Sequence, residues 1–262
     1  MIDLQKPLRE YKADVDLLAG RTILVTGADT DLGEAVAASL ATHAATVILV
    51  GKKRKRLEQV YDRIEGSDSP QPALIPINLT RASAESYEQL TETLNNEFGR
   101  LDGIAHCDME IGILSPLELY DLPVFADVMQ ANVNAPYLLT RTCMALLRKS
   151  ADASIVFTSS EAGREGKPFW GAYGISCFAV EGMMQTWAQE LQGETRIRVN
   201  SLATGPIRTA QRAKAYPGED PSTLPPPDEV VAAYVYLLGP ESTNVTGQAL
   251  HAQQPPPDPG IV

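Results

Sequence analysis

Short uninterrupted apolar runs alternate along the chain with longer stretches in which apolar residues recur every three or four positions. The runs Thr22 to Val25, Thr46 to Val50, Ala73 to Ile77, Gly103 to His106, Ser154 to Thr158 and Arg196 to Leu202 predict strands. Between them, Leu32 to Leu40, Arg54 to Ile64, Ser83 to Phe98, Phe125 to Asn132, Ala135 to Lys149 and Tyr173 to Leu191 predict helices. Strands apolar on both faces, separated by amphipathic helices, predict a parallel α/β sheet with helices on both sides. No internal repeat interrupts the pattern. Residues 1–19 read as an arm, 20–252 as one domain and 253–262 as a proline-rich tail. Pro217 to Pro227 reads as a lid-like excursion, because proline suits neither helix interior nor central strand.

Length and composition fit that picture. The 262 residues and 44% hydrophobic content suit one large core. No apolar run approaches the ~18 residues of a membrane span, and the first residues lack a signal peptide's apolar stretch. We therefore expect a cytoplasmic protein without a membrane segment. A net charge of −11 argues against a nucleic-acid partner. Three scattered cysteines and three scattered histidines imply neither a disulfide framework nor a metal site.

Two loops carry candidate chemistry. Thr26-Gly27-Ala28-Asp29-Thr30-Asp31-Leu32-Gly33 follows the first strand and opens a helix. That is where a Rossmann-type doubly wound sheet holds a dinucleotide pyrophosphate, on helix N-terminal amides and the helix dipole. After the second strand and Gly51 comes Lys52-Lys53-Arg54-Lys55-Arg56, five cations at a helix N-terminus whose dipole is already positive. Basic residues at this place receive the 2′-phosphate of NADP, whereas NAD users place an acid there, and no acid follows in sequence until Glu58. Lys52 and Lys53 thus point to NADP(H).

Asn132, Ser160 and Tyr173 are spaced by 28 and 13 residues. With the glycine-rich turn, Val156-Phe157-Thr158-Ser159-Ser160 and Trp170-Gly171-Ala172-Tyr173, this resembles the short-chain dehydrogenase/reductase family, and its YciK-like members in particular. The resemblance covers nearly the whole chain. It implies that Ser160 polarises a substrate carbonyl, that Tyr173 exchanges its proton and that Asn132 holds a water of a proton relay. It implies cofactor contacts from Gly27, Thr30, Leu32, Gly33, Asn78, Leu79, Tyr173, Gly205 and Thr209, a carbonyl or alcohol substrate, and a homodimer or homotetramer built on the two long helices. Phe178, Met183, Met184 and Trp187 are spaced more widely than one core face needs, which fits such a surface.

The departures from the family are specific. Tyr-x-x-x-Lys reads Tyr173-Gly174-Ile175-Ser176-Cys177, so the residue one helical turn from the tyrosine has no fixed charge. The middle glycine of TGxxxGxG is Asp31. A carboxylate ~5 Å from a phosphate charge costs roughly 3 kcal/mol at an effective dielectric of 20. Asp31 is also a good N-cap, so it competes for the amides a phosphate needs. Asn-Ala-Gly becomes Cys107-Asp108-Met109, the adenine-binding Asp becomes Asn78, and Pro-Gly becomes Thr204-Gly205. Three readings stay open: an impaired reductase acting by nucleotide binding or by pairing with an active homologue; a working NADP-dependent reductase in which Arg164 or Lys167 replaces the lysine; and a ligand-free structural oligomer. Cys177 reads as an apolar filler, with a reactive thiol as the alternative.

Overall fold

The computed structural model describes residues 8–193 and 196–254. Seven parallel strands form one sheet in the order β3-β2-β1-β4-β5-β6-β7. They are β1 (Thr22–Thr26), β2 (Thr46–Gly51), β3 (Ala73–Pro76), β4 (Gly103–His106), β5 (Ala153–Ser159), β6 (Ile197–Ala203) and β7 (Ala249–His251). The helices are α1 (Asp31–Thr42), α2 (Arg54–Glu65), α3 (Ala84–Phe98), α4 (Leu122–Met129), α5 (Ala135–Leu147), α6 (Gly171–Glu190), α7 (Ala210–Ala215) and α8 (Ala232–Leu238). The strand order reverses between β1 and β4, the crevice where doubly wound sheets bind ligands.

The two-sided burial read from the sequence divides along each strand. Ile23 and Val25 of β1 join Val36, Leu40 and Tyr234 on one face. Leu24 joins Ile48, Leu139 and Met184 on the other. Among the buried charges, Arg198 on β6 donates to Asp152 at 3.1 Å and to the carbonyls of Leu237 and Gly239 at 2.7 and 3.1 Å.

The sheet gains a seventh strand, β7, that no apolar run announced, and three further elements differ from the sequence expectation. The α4–α5 region does not break at Asn132: a π-helical turn, Gln130–Asn134, joins the two helices. The described part of the N-terminal segment packs onto the domain, with Leu8 and Leu18 buried and the Arg9 amide donating to the Ala252 carbonyl. On α6, Met184 is core and Met183 and Trp187 pack partly against it, while Phe178 is exposed, as is Ile175. The tail prolines 255–259 lie outside the described residues. Among those residues, no helix is long and apolar enough to cross a membrane.

Candidate active site

The first turn keeps the geometry that lets a phosphate approach backbone. Gly27 adopts φ +63°, and a Cβ on Gly33 would collide with the Gly27 carbonyl. The α1 N-cap is Thr30, not Asp31: its hydroxyl accepts from the Gly33 amide at 3.2 Å and donates to the Gly27 carbonyl at 2.7 Å. Asp31, one residue inside the helix, turns outward instead. Its Oδ2 accepts from the Ala210 amide at 2.7 Å, and Oδ1 lies 3.6 Å from Arg56. The carboxylate therefore ties the turn to α7 rather than filling the turn's own amides.

Three of the five cations in the basic run are paired, two of them with acids the linear sequence does not place beside them. Lys52 pairs with Glu110 at 3.0 Å, Arg54 with Glu58 at 2.9 Å and Arg56 with Glu34 at 2.6 Å. Asp29 accepts from the Lys53 amide at 2.9 Å. Apart from Glu58 on α2 itself, these acids come from α1 and from the loops after β1 and β4, which the parallel sheet brings to the same edge. Burial works to lower the Lys52 ammonium, but its bond to Glu110 and the nearby Asp108 raise it.

Ser160 and Tyr173 face one cavity of about 250 Å³, between the first turn, the β4 loop and the segment after β6. Met109, Ile111, Trp170 and Ile207 make it largely apolar. Thr30, Asp31, Leu32, Gly205 and Thr209 also reach it, whereas Lys52, Lys53, Asn78 and Leu79 do not line it. Asn78 is exposed, its Oδ1 accepting from the Thr80 amide and hydroxyl at 3.1 and 2.7 Å; Leu79 is buried. Gly205 has φ +72°, and Thr209 caps α7 through the Arg212 amide. The segment after Arg208 opens with the short helix α7, and Pro217 to Pro227 do not line the cavity. Gln211 on α7 donates to the Met109 carbonyl at 2.6 Å, so α7 is tied to both walls of the cleft.

Burial pushes the Tyr173 phenol well above its ordinary value; Cys177 adds to the rise and the Ser160 hydroxyl offsets only part of it. Cys177 itself is fully buried, and burial pushes its thiol up to about 12. It is a neutral filler at pH 7, packed against the backbone of Gly163, where an added Cβ would approach Cys177 to 2.8 Å. Burial and the raised thiol both weigh against the reactive-thiol alternative.

Asn132 does not stand free to hold a water with its amide hydrogens. Nδ2 donates to the Glu110 carbonyl and to the Ser176 hydroxyl, both at 2.9 Å, while Oδ1 accepts from the Glu110 amide at 2.7 Å. The two substitute cations differ. Arg164 is outside the cavity lining, donating to the Leu250 carbonyl at 2.8 Å and to His251, with Glu181 at 3.6 Å. Lys167 lines the cavity and lies 3.5 Å from Glu165.

Sequence reasoning missed the network behind Ser160. Glu161 accepts from His251 Nδ1 at 2.7 Å, and Glu181 accepts from the Ser201 hydroxyl at 2.6 Å. Because Arg164 donates into Nε2, His251 is the neutral Nδ1–H tautomer; burial first, then Arg164, lowers its basicity. Its members come from four segments, so no local spacing announces it. Also missed was Arg212, held by Glu219 at 2.7 and 2.8 Å and stacked 3.9 Å above the Tyr216 ring.

A doubly wound sheet with a glycine turn at its switch point, and a serine and tyrosine sharing the adjoining cavity, defines a dinucleotide-dependent oxidoreductase scaffold. The short chain dehydrogenase family model matches residues 21–220. The oxidoreductase YciK of Escherichia coli K12 is 42% identical over 251 residues, covering 96% of this chain and 98% of that protein. A short chain dehydrogenase from Shigella flexneri 2a, solved with NADP, is 42% identical with TM-score 0.89 over 92% of this chain and 100% of that one. Another from Escherichia coli CFT073, solved with NADPH, is 42% identical with TM-score 0.89 over 93% and 100%. The chain belongs to the short-chain dehydrogenase/reductase family.

Proposed function

We propose that this protein is an NADP(H)-binding member of the family in which proton transfer is impaired, acting by binding: as a nucleotide-responsive protein or as a subunit paired with an active homologue. The observation that carries this reading is Cys177, a buried neutral thiol one helical turn from a Tyr173 whose phenol is pushed up by burial. A general acid works best when its pKa lies near the working pH, and nothing fixed at position 177 brings Tyr173 there. The turn at Gly27 and Gly33 would hold the pyrophosphate, with Gly205 and Thr209 closing the nicotinamide end. NADP and NADPH in solved relatives support a phosphorylated nicotinamide dinucleotide as the ligand. When bound, that group supplies or accepts a hydride.

A second reading is an active reductase of apolar carbonyl compounds. Ser160 and Tyr173 on one apolar cavity favour it. Calorimetric titration of the full chain with NADPH, followed by NADPH oxidation with an aldehyde and ketone panel, separates the two. Binding without turnover supports impairment. Turnover by the parent chain establishes the reductase. Absence of binding at millimolar NADPH overturns both.

A further inference from the structure

The dinucleotide reading above leaves open what faces the adenosine ribose, and the structure places an unassigned carboxylate there. β2 ends at Gly51, which has no side chain to meet the ribose. A Cβ built on Gly51 would collide with Asp29 Oδ1, so the volume that a β2-terminal side chain would occupy is filled from the neighbouring loop. Asp29 is buried and fixed: Oδ2 accepts from the Lys53 amide at 2.9 Å, the only hydrogen bond its carboxylate makes among the described residues.

In doubly wound sheets a carboxylate at this point bonds the free 2′-hydroxyl, whereas a 2′-phosphate needs cations. We propose that Asp29 tunes selection at the adenosine ribose, weakening the preference for the 2′-phosphate so that the unphosphorylated dinucleotide is admitted as well. Of the cations that could offset it, Lys52, Arg54 and Arg56 are already paired, while Lys53 and Lys55 are exposed. Lys52 is bonded to Glu110 at 3.0 Å and sits in the field of Asp108 and Asp29 as well, three acids around one ammonium. A phosphate arriving at Lys52 meets three acids, although the linear sequence there shows only lysines and arginines. The basic run therefore favours NADP(H) less than its composition suggests. Asp29 moderates that preference without removing it.

The test measures Kd for NADPH and NADH by nicotinamide fluorescence with the full chain. The parent is compared with Asp29→Asn, which keeps an acceptor for the Lys53 amide, and with Glu110→Gln, which frees Lys52 and touches no buried group. Each variant should bind NADPH about tenfold tighter relative to NADH than the parent does, a change of about 1.4 kcal/mol. An unchanged NADPH-to-NADH ratio in variants that still bind dinucleotide overturns this assignment and leaves the dinucleotide reading standing. No binding of either dinucleotide by parent and variants alike overturns both. Tightening in Glu110→Gln but not in Asp29→Asn overturns the role of Asp29 and assigns selection to the Lys52–Glu110 pair.

Discussion

Replacing Cys177 with lysine restores the missing charge one helical turn from Tyr173. Residues four apart on a helix lie about 5–6 Å apart at Cβ, and side chains lean toward the N-terminus, so the ammonium leans over Tyr173. Two unit charges ~5 Å apart at an effective dielectric of 20 interact by about 3 kcal/mol, which lowers the phenol by roughly 2 pH units. With about half of that change expressed in the transition state, proton donation gains roughly tenfold. A charge-assisted hydrogen bond to the nicotinamide ribose, worth about 1.5–3 kcal/mol, adds a further tenfold or more. Burial of a lysine where the cysteine is fully enclosed opposes this, and Glu181, one turn along, supplies a counter-charge. The expected outcome is at least about a hundredfold rise in NADPH-dependent carbonyl reduction, followed by loss of NADPH fluorescence. Equal turnover by the parent would refute the reasoning, because Tyr173 would then have another source of positive charge. So would a folded Cys177→Lys protein that binds NADPH yet remains inert.

Two further outcomes follow from the same contacts. Asp31→Gly removes a carboxylate from the pyrophosphate turn and the cap on Ala210; NADPH should bind at least about tenfold tighter while the ligand-free protein loses ~1 kcal/mol, read by titration and by urea unfolding. His106, stacked on Phe157 and enclosed beneath Thr140, is lowered by burial to about 3. Its folded value lies below the unfolded one, so the unfolded chain binds the extra proton and stability falls as pH drops from about 6.5 toward 3, by roughly 1.4 kcal/mol per unit. The difference in unfolding free energy between pH 7 and pH 5 should shrink by about 2 kcal/mol in His106→Phe, and an unaltered difference would exclude the imidazole as its origin.

The architecture was legible because each strand is apolar on both faces and each helix on one, and both periods survive in the sequence. Ser160, Tyr173 and the glycine turn were legible for a related reason: their roles depend on local order along a strand-loop-helix unit. What could not be read were charges meeting across long separations. Asp31 reaches an amide 179 residues away, and Glu110 neutralises a lysine 58 residues before it. Lys52 to Arg56 look like an anion site in one dimension; only the folded sheet edge brings Asp29, Glu34 and Glu110 against them. Gln130–Asn134 was misread as a break because a π turn has no signature distinct from α-helix at this length.

Asn132 bears on how kinship with enzymes is judged. Both hydrogens of its amide are spent on the Glu110 carbonyl and Ser176, and its oxygen holds the Glu110 amide. It thereby pins the β4 loop to α6 from inside a π turn. Removing it would leave buried donors and acceptors unpaired, at about 1–3 kcal/mol each. A lineage released from catalysis would still be penalised for losing this asparagine, through misfolding rather than through lost turnover. Its presence is therefore explained by how the chain folds, and counting it as a surviving member of a catalytic set is by itself no evidence of turnover.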